Sequence, residues 1–187
     1  MVEPEFHRDE RGFFVEAYHR RRYVEAGIVD EFVQDNHSRS SRGVLRGLHY
    51  QDRSAPMSKL VRCSSGSILD VAVDLRVGSP TFGRWFKSEL SVENMHQLFV
   101  PVGFGHGFLT LTEWADVEYK CGGYYEPRAE GAIAWNDPDL KIDWPMDHPV
   151  VSERDASAMS LKQYLERPAF HYLFPPPPAG EGQGGGR

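Results

Sequence analysis

Between Val44 and Cys121 short apolar-rich runs alternate with Gly, Ser, Pro and Asn. That is the pattern of β-strands separated by turns. Strands are predicted over 44–51, 59–63, 67–76, 84–90, 96–101, 106–112 and 116–121. In 67–76, Ile68, Val71, Val73 and Leu75 mix with Asp70 and Asp74, which predicts one face turned to water. This many strands at short spacing predicts an all-β sandwich or barrel.

Two helices flank the strands in this reading. Residues 18–26 carry charges and end at Gly27, a stop signal. Ser152 is placed to cap a second helix, with Asp155 three residues on, where a capping-box acid stands. Residues 1–174 are expected to form one domain. The Pro/Gly-rich segment 175–187 is predicted to be disordered and without catalytic role.

Composition narrows the classes. The chain has 187 residues and a net charge of −6, which argues against a nucleic-acid partner. A small anionic substrate needs only a few local Arg and Lys, so it stays open. Two cysteines without a CxxC spacing predict reduced thiols and a cytoplasmic setting. The N-terminus shows no charged-then-apolar leader, and no apolar run approaches the ~18 residues of a membrane span.

Two motifs bear on chemistry. In Gly43–Gln51, five residues separate Gly43 from His49; the other is Pro101-Val102-Gly103-Phe104-Gly105-His106. Together they resemble the two halves of a cupin signature with its metal site dismantled. Gln51 stands where a second His belongs, and no Glu lies between Gln51 and Gly66. Two His are too few for a metal that needs three or four ligands, so no metal is expected. Catalysis, if present, is expected to run on side-chain acids and bases.

Several residues then become candidates, each with a plainer reading. Strand alternation sets Leu48 and Tyr50 on one face and Gly47, His49 and Gln51 on the other, with Arg46 on the face of Leu48 unless the strand bulges. His49 is a potential base or simply a structural histidine. Lys59 is an oxyanion stabiliser or a solvated lysine. Tyr119 shares a face with Val117 and Cys121 and is either an acid or a core tyrosine. Asp155 caps a helix or partners a base. Arg11, Arg46 and Arg154 would suit a diphosphate if they converge, and Tyr124 and Tyr125 could stack a base or pack the rim.

A longer set of ordered motifs carries a resemblance. Asp9-Glu10-Arg11-Gly12-Phe13-Phe14, Gln34-Asp35-Asn36-His37-Ser38, Gly43–Gln51, Lys59-Leu60-Val61, Asp70–Arg76, Gly78–Gly83, Pro101–Phe108, Tyr124-Tyr125 and Trp135-Asn136-Asp137-Pro138 occur in that order. They resemble the dTDP-4-dehydrorhamnose 3,5-epimerase family over roughly residues 3–157. The resemblance implies a cupin-type jelly roll that forms a homodimer, needs no cofactor and acts on dTDP-4-dehydro-6-deoxy-D-glucose. It implies His49 as base, Asp155 as its carboxylate partner, Tyr119 as proton donor and Lys59 beside the enolate oxygen. It further implies substrate contacts from His106, Arg46, Arg154, Glu130 and Tyr125, the last stacking on thymine. Arg11, Glu16, Gln34, Asp35 and Asn36 match nucleotide-binding positions, some reaching the partner's site across the dimer.

The chain departs from the family pattern in places. It starts about ten residues short of the family's beginning, which implies a truncated or dispensable first strand. Gly105 replaces the usual Ala, and Arg154 stands where the family commonly has Lys. A 3- or 5-monoepimerase of a natural-product sugar pathway remains an alternative, as does a ketoisomerase of the same barrel class. A non-catalytic sugar-nucleotide-binding barrel and a metal-dependent oxygenase are the readings from other classes.

Overall fold

The computed structural model describes residues 1–172. The predicted disordered tail, 175–187, lies outside the described residues. Eleven strands are present among the described residues: β1 (Phe6–Asp9), β2 (Gly12–Val15), β3 (Gln34–Ser41), β4 (Leu45–Gln51), β5 (Lys59–Ser65), β6 (Ser67–Asp74), β7 (Trp85–Ser91), β8 (Gln97–Val100), β9 (Phe104–Thr110), β10 (Trp114–Cys121) and β11 (Glu130–Ala132). Three short helices accompany them: α1 (Arg20–Glu25), α2 (Glu153–Ala156) and α3 (Leu161–Glu166).

The strands form a four-stranded sheet, β3-β10-β5-β8, and a five-stranded sheet, β11-β4-β9-β6-β7. Every pairing within them is antiparallel. The sheets close on a shared apolar interior of Val61, Cys63, Ile68, Ala72, Leu90, Leu98, Phe108 and Val117. This is the predicted jelly-roll architecture. A second core lies on the outer side of the five-stranded sheet, where Leu48, Tyr50, Val71 and Val73 receive Ile133, Leu161, Tyr164 and Phe170. Helix α1 and the turn after it cover the outer side of the other sheet, where Tyr23 and Ile28 cluster with Leu60 of β5.

The predicted strands form, with ends shifted by a few residues. The hairpin β1–β2, strand β3, strand β11 and helix α3 were not predicted. Their sequences are polar or short, so no period stands out. One expectation is overturned. Asp70 and Asp74 do not face water; they are 0% and 1% exposed. Each is instead compensated from within: Asp70 by His106, and Asp74 by Arg76, Ser79 and Thr81.

The alternation in β4 also breaks as it enters the site. Arg46 pairs with Phe108 and His49 with His106, with a register shift between them. Three residues of β4 therefore span two of β9, a bulge that turns Arg46 and His49 to the same inner side. Glycine permits the close approach there. A Cβ on Gly47 would lie 2.5 Å from Gly107 Cα and 2.8 Å from the His106 carbonyl oxygen.

Candidate active site

The inner faces of the two sheets bring the chemistry together. From the five-stranded sheet come His49 on β4, Asp70 on β6, His106 on β9 and Glu130 on β11; from the four-stranded sheet come Lys59 on β5 and Tyr119 on β10. Tyr119 packs against the interior cluster, and Lys59 Nζ lies 5.8 Å from its ring centroid. Helix α2 delivers Arg154 and Asp155 from the C-terminal segment.

His49 Nε2 is 2.6 Å from Asp155 Oδ1. Asp155 is 4% exposed and sits at the third position of α2, where its backbone N–H donates to the capping Ser152 hydroxyl. The cap is therefore as predicted, but the Asp155 carboxylate does not complete a capping box; it turns to His49. Burial alone would raise the Asp155 carboxyl, yet His49, the Ser152 hydroxyl and the Gly47 backbone hold it below its ordinary value. An ionised carboxylate only accepts hydrogen bonds. It thus favours a proton on Nε2 and a lone pair on Nδ1.

His106 forms a second such pair. Its Nε2 is 2.8 Å from Asp70 Oδ1, and both side chains are buried. Asp70 Oδ2 has no hydrogen-bond partner. Sequence reasoning missed Asp70, and its signal was an acid inside an otherwise apolar strand.

Burial lowers the Lys59 ammonium and raises the Tyr119 phenol. Cys121, Asp70 and Glu130 pull Lys59 back toward the charged form, while Arg154 opposes them. Asn36 pulls Tyr119 partway down. A phenol so raised holds its proton at neutral pH and releases it only to a strong base.

At the rim, Glu130 accepts from both the Tyr125 hydroxyl, at 2.9 Å, and Arg154. Gln34 accepts from the Tyr125 backbone and donates to Asn36, whose amide reaches Cys121 Sγ. Arg46 donates to Ser40. Gln51 is buried and bonded to the backbone of Ala55, Tyr124 and Glu126. It serves as a strut for the Tyr124–Glu126 segment rather than as a metal ligand. Among the described residues no three His, Cys, Asp or Glu side chains gather in metal-binding geometry.

Three expected binding residues stand apart. Asp35 turns to the outer face, pairing with Lys120 beside a cleft of about 490 Å³ lined by Tyr18, Arg62 and Glu118. Arg11 sits in the β1–β2 turn against Asp9, and Glu16 pairs with Arg22. None of these contacts reaches the His49 cluster of the same chain.

Comparison with known proteins accords with this geometry. The family model described as dTDP-4-dehydrorhamnose 3,5-epimerase matches residues 1–163. The chain belongs to that family. Its relatives include the dTDP-4-dehydrorhamnose 3,5-epimerase of Pseudomonas aeruginosa, 55% identical over 83% of this chain and 86% of the relative. The dTDP-4-dehydrorhamnose 3-epimerase of Streptomyces niveus is 40% identical over 87% of this chain and 79% of its own. Among solved structures, the Legionella pneumophila dTDP-6-deoxy-D-glucose-3,5-epimerase in complex with dTDP-4-keto-L-rhamnose superposes with a TM-score of 0.87. It is 48% identical and covers 91% of this chain and 92% of that one. The family is one of isomerases with the cupin-type jelly roll seen here.

Proposed function

We propose that this protein epimerises dTDP-4-dehydro-6-deoxy-D-glucose at C3 and C5, giving dTDP-4-dehydro-L-rhamnose. The observation that carries the reading is a carboxylate-paired imidazole, His49, and a phenol, Tyr119, on facing sheets with Lys59 beside the phenol. Each target hydrogen neighbours the C4 ketone, so its removal leaves an enolate. His49 takes the proton through Nδ1, and Asp155 stabilises the imidazolium that forms. The Lys59 ammonium offsets charge growing on the enolate oxygen. Tyr119, whose phenol is raised by burial, returns a proton from the opposite side to the strongly basic enolate carbon. No step needs an oxidant, reductant or metal.

The binding roles follow the same reading. Arg46 and Arg154 meet the diphosphate, His106 and Glu130 the sugar, and Tyr125 stacks on thymine with Gln34 and Asn36 behind it. A homodimer is part of the proposal. Phe13 and Phe14 are 53% and 71% exposed on the β1–β2 hairpin, which also carries Arg11 and leads to Glu16. An apolar hairpin so exposed suits burial against a second copy. Sedimentation at micromolar concentration tests this, and a monomer would remove it. The free thiols of Cys63 and Cys121 fit a cytoplasmic setting.

The test is proton NMR with dTDP-4-dehydro-6-deoxy-D-glucose in deuterium oxide. Deuterium entering at C3 and C5 is the expected result. Label at a single carbon would establish the monoepimerase reading instead, which the resemblance to the Streptomyces niveus 3-epimerase keeps in view. No label at either carbon would leave a binding protein.

A further inference from the structure

The nitrogen that binds Asp155 is also held by a second group. Arg154 Nη2 lies 2.8 Å from His49 Nε2, while Asp155 Oδ1 lies 2.6 Å from the same atom. A guanidinium only donates and a carboxylate only accepts. Nε2 satisfies Asp155 when it carries a proton and Arg154 when it does not. The two neighbours on α2 therefore ask for opposite forms of the ring.

The competitors are unequal. Asp155 is fixed by burial and by the Ser152 cap. The Arg154 side chain is 52% exposed, and its other branch rests on Glu130, which also holds the Tyr125 hydroxyl. The other charged and titratable groups that face this interior are Arg46 on its own strand, Glu130 on β11, His106 with Asp70 on β9 and β6, Lys59 on β5 and Tyr119 on β10. A diphosphate offers arginine a charged, bidentate partner, which a neutral imidazole nitrogen does not.

We propose that Arg154 is a positioning residue that latches the base: it competes with Asp155 for His49 Nε2, and a nucleoside diphosphate draws it away. Release leaves Nε2–H bonded to Asp155 alone and fixes the lone pair on Nδ1. Occupancy of the nucleotide site thereby arms the base, with the Tyr125–Glu130–Arg154 chain as the connection. This rests on the reading of His49 as base given above.

Long-range proton–nitrogen correlation on ¹⁵N-histidine protein tests it, with His49 assigned from His49→Asn. Wild type alone is expected to give a His49 ring pattern averaged between the two forms. Arg154→Met alone should give the pure Nε2–H pattern. Saturating dTDP should bring wild type to that pattern and leave Arg154→Met unmoved. Identical patterns for the two proteins without dTDP overturn the proposal. So does a wild-type pattern unchanged when calorimetry shows dTDP bound. The His106 ring, held by Asp70, reports whether the variant is folded. If it is disturbed, Glu130→Gln, which frees the anchor of Arg154, should shift His49 in the same direction, and no shift there also overturns the latch. Kinetically, Arg154→Met should raise KM by about tenfold with a smaller change in kcat, as lost phosphate binding predicts. If wild type neither binds dTDP nor exchanges deuterium, the epimerase reading fails, while the comparison without dTDP still decides the latch.

Discussion

His49 and Asp155 meet at 2.6 Å although they stand 106 positions apart in the chain. One lies on an inner strand of the barrel and the other on a single-turn helix capped by Ser152. The pair exists because the C-terminal segment returns across the five-stranded sheet and buries Leu161, Tyr164 and Phe170 against Leu48 and Tyr50. Packing on one face of β4 thus positions the partner of the residue on its other face.

His49→Ala removes the only proton acceptor assigned to the reaction. Deuterium incorporation at C3 and C5 should fall by about a thousandfold or more. Affinity for dTDP, measured by calorimetry, should stay within a few-fold. Retained exchange would refute His49 as the base.

Tyr119→Phe keeps the ring that packs on the interior cluster and deletes the hydroxyl. Inversion should suffer more than proton removal, so deuterium washes in faster than epimer accumulates. Equal loss of both would argue against a donor role.

Asp74 tests the structural electrostatics. Burial alone would raise its carboxyl, but hydrogen bonds from Arg76, Ser79 and Thr81 hold it down to about 2, against an ordinary 3.8. The folded state binds this proton less readily than the unfolded state. Its stabilisation is therefore complete above pH 3.8 and lost as pH falls toward about 2. Asp74→Asn should cost about 2 kcal/mol in urea unfolding at neutral pH. It should also flatten the acid limb of the stability curve, and an unchanged limb would contradict the assignment.

Gly47→Ala places a methyl group 2.5 Å from Gly107 Cα at a backbone φ of +133°. β4 and β9 would have to part where His49 and His106 pair. A loss of about 2 kcal/mol or more is expected, read as a lowered Tm together with lost exchange. A variant as stable as wild type would show that the strands can separate freely.

The sequence by itself determined the seven strands β4 to β10, because alternating or continuous apolar residues report a buried strand face wherever the run is long enough. It also determined the Ser152 cap, a local rule of three residues, and the ordered motifs carried the family and its candidate residues. Tertiary structure decided the rest. Alternation assigned Arg46 to the face away from His49, and only pairing with β9 supplied the bulge that reverses it. Asp70 and Asp74 read as wet because an acid in isolation belongs in water. Their partners, His106 on another strand and the Arg76–Thr81 turn, are what make their burial tolerable. The doubly claimed Nε2 of His49 had no sequence signal. It depends on where a four-residue helix comes to rest, and long-range packing alone fixes that.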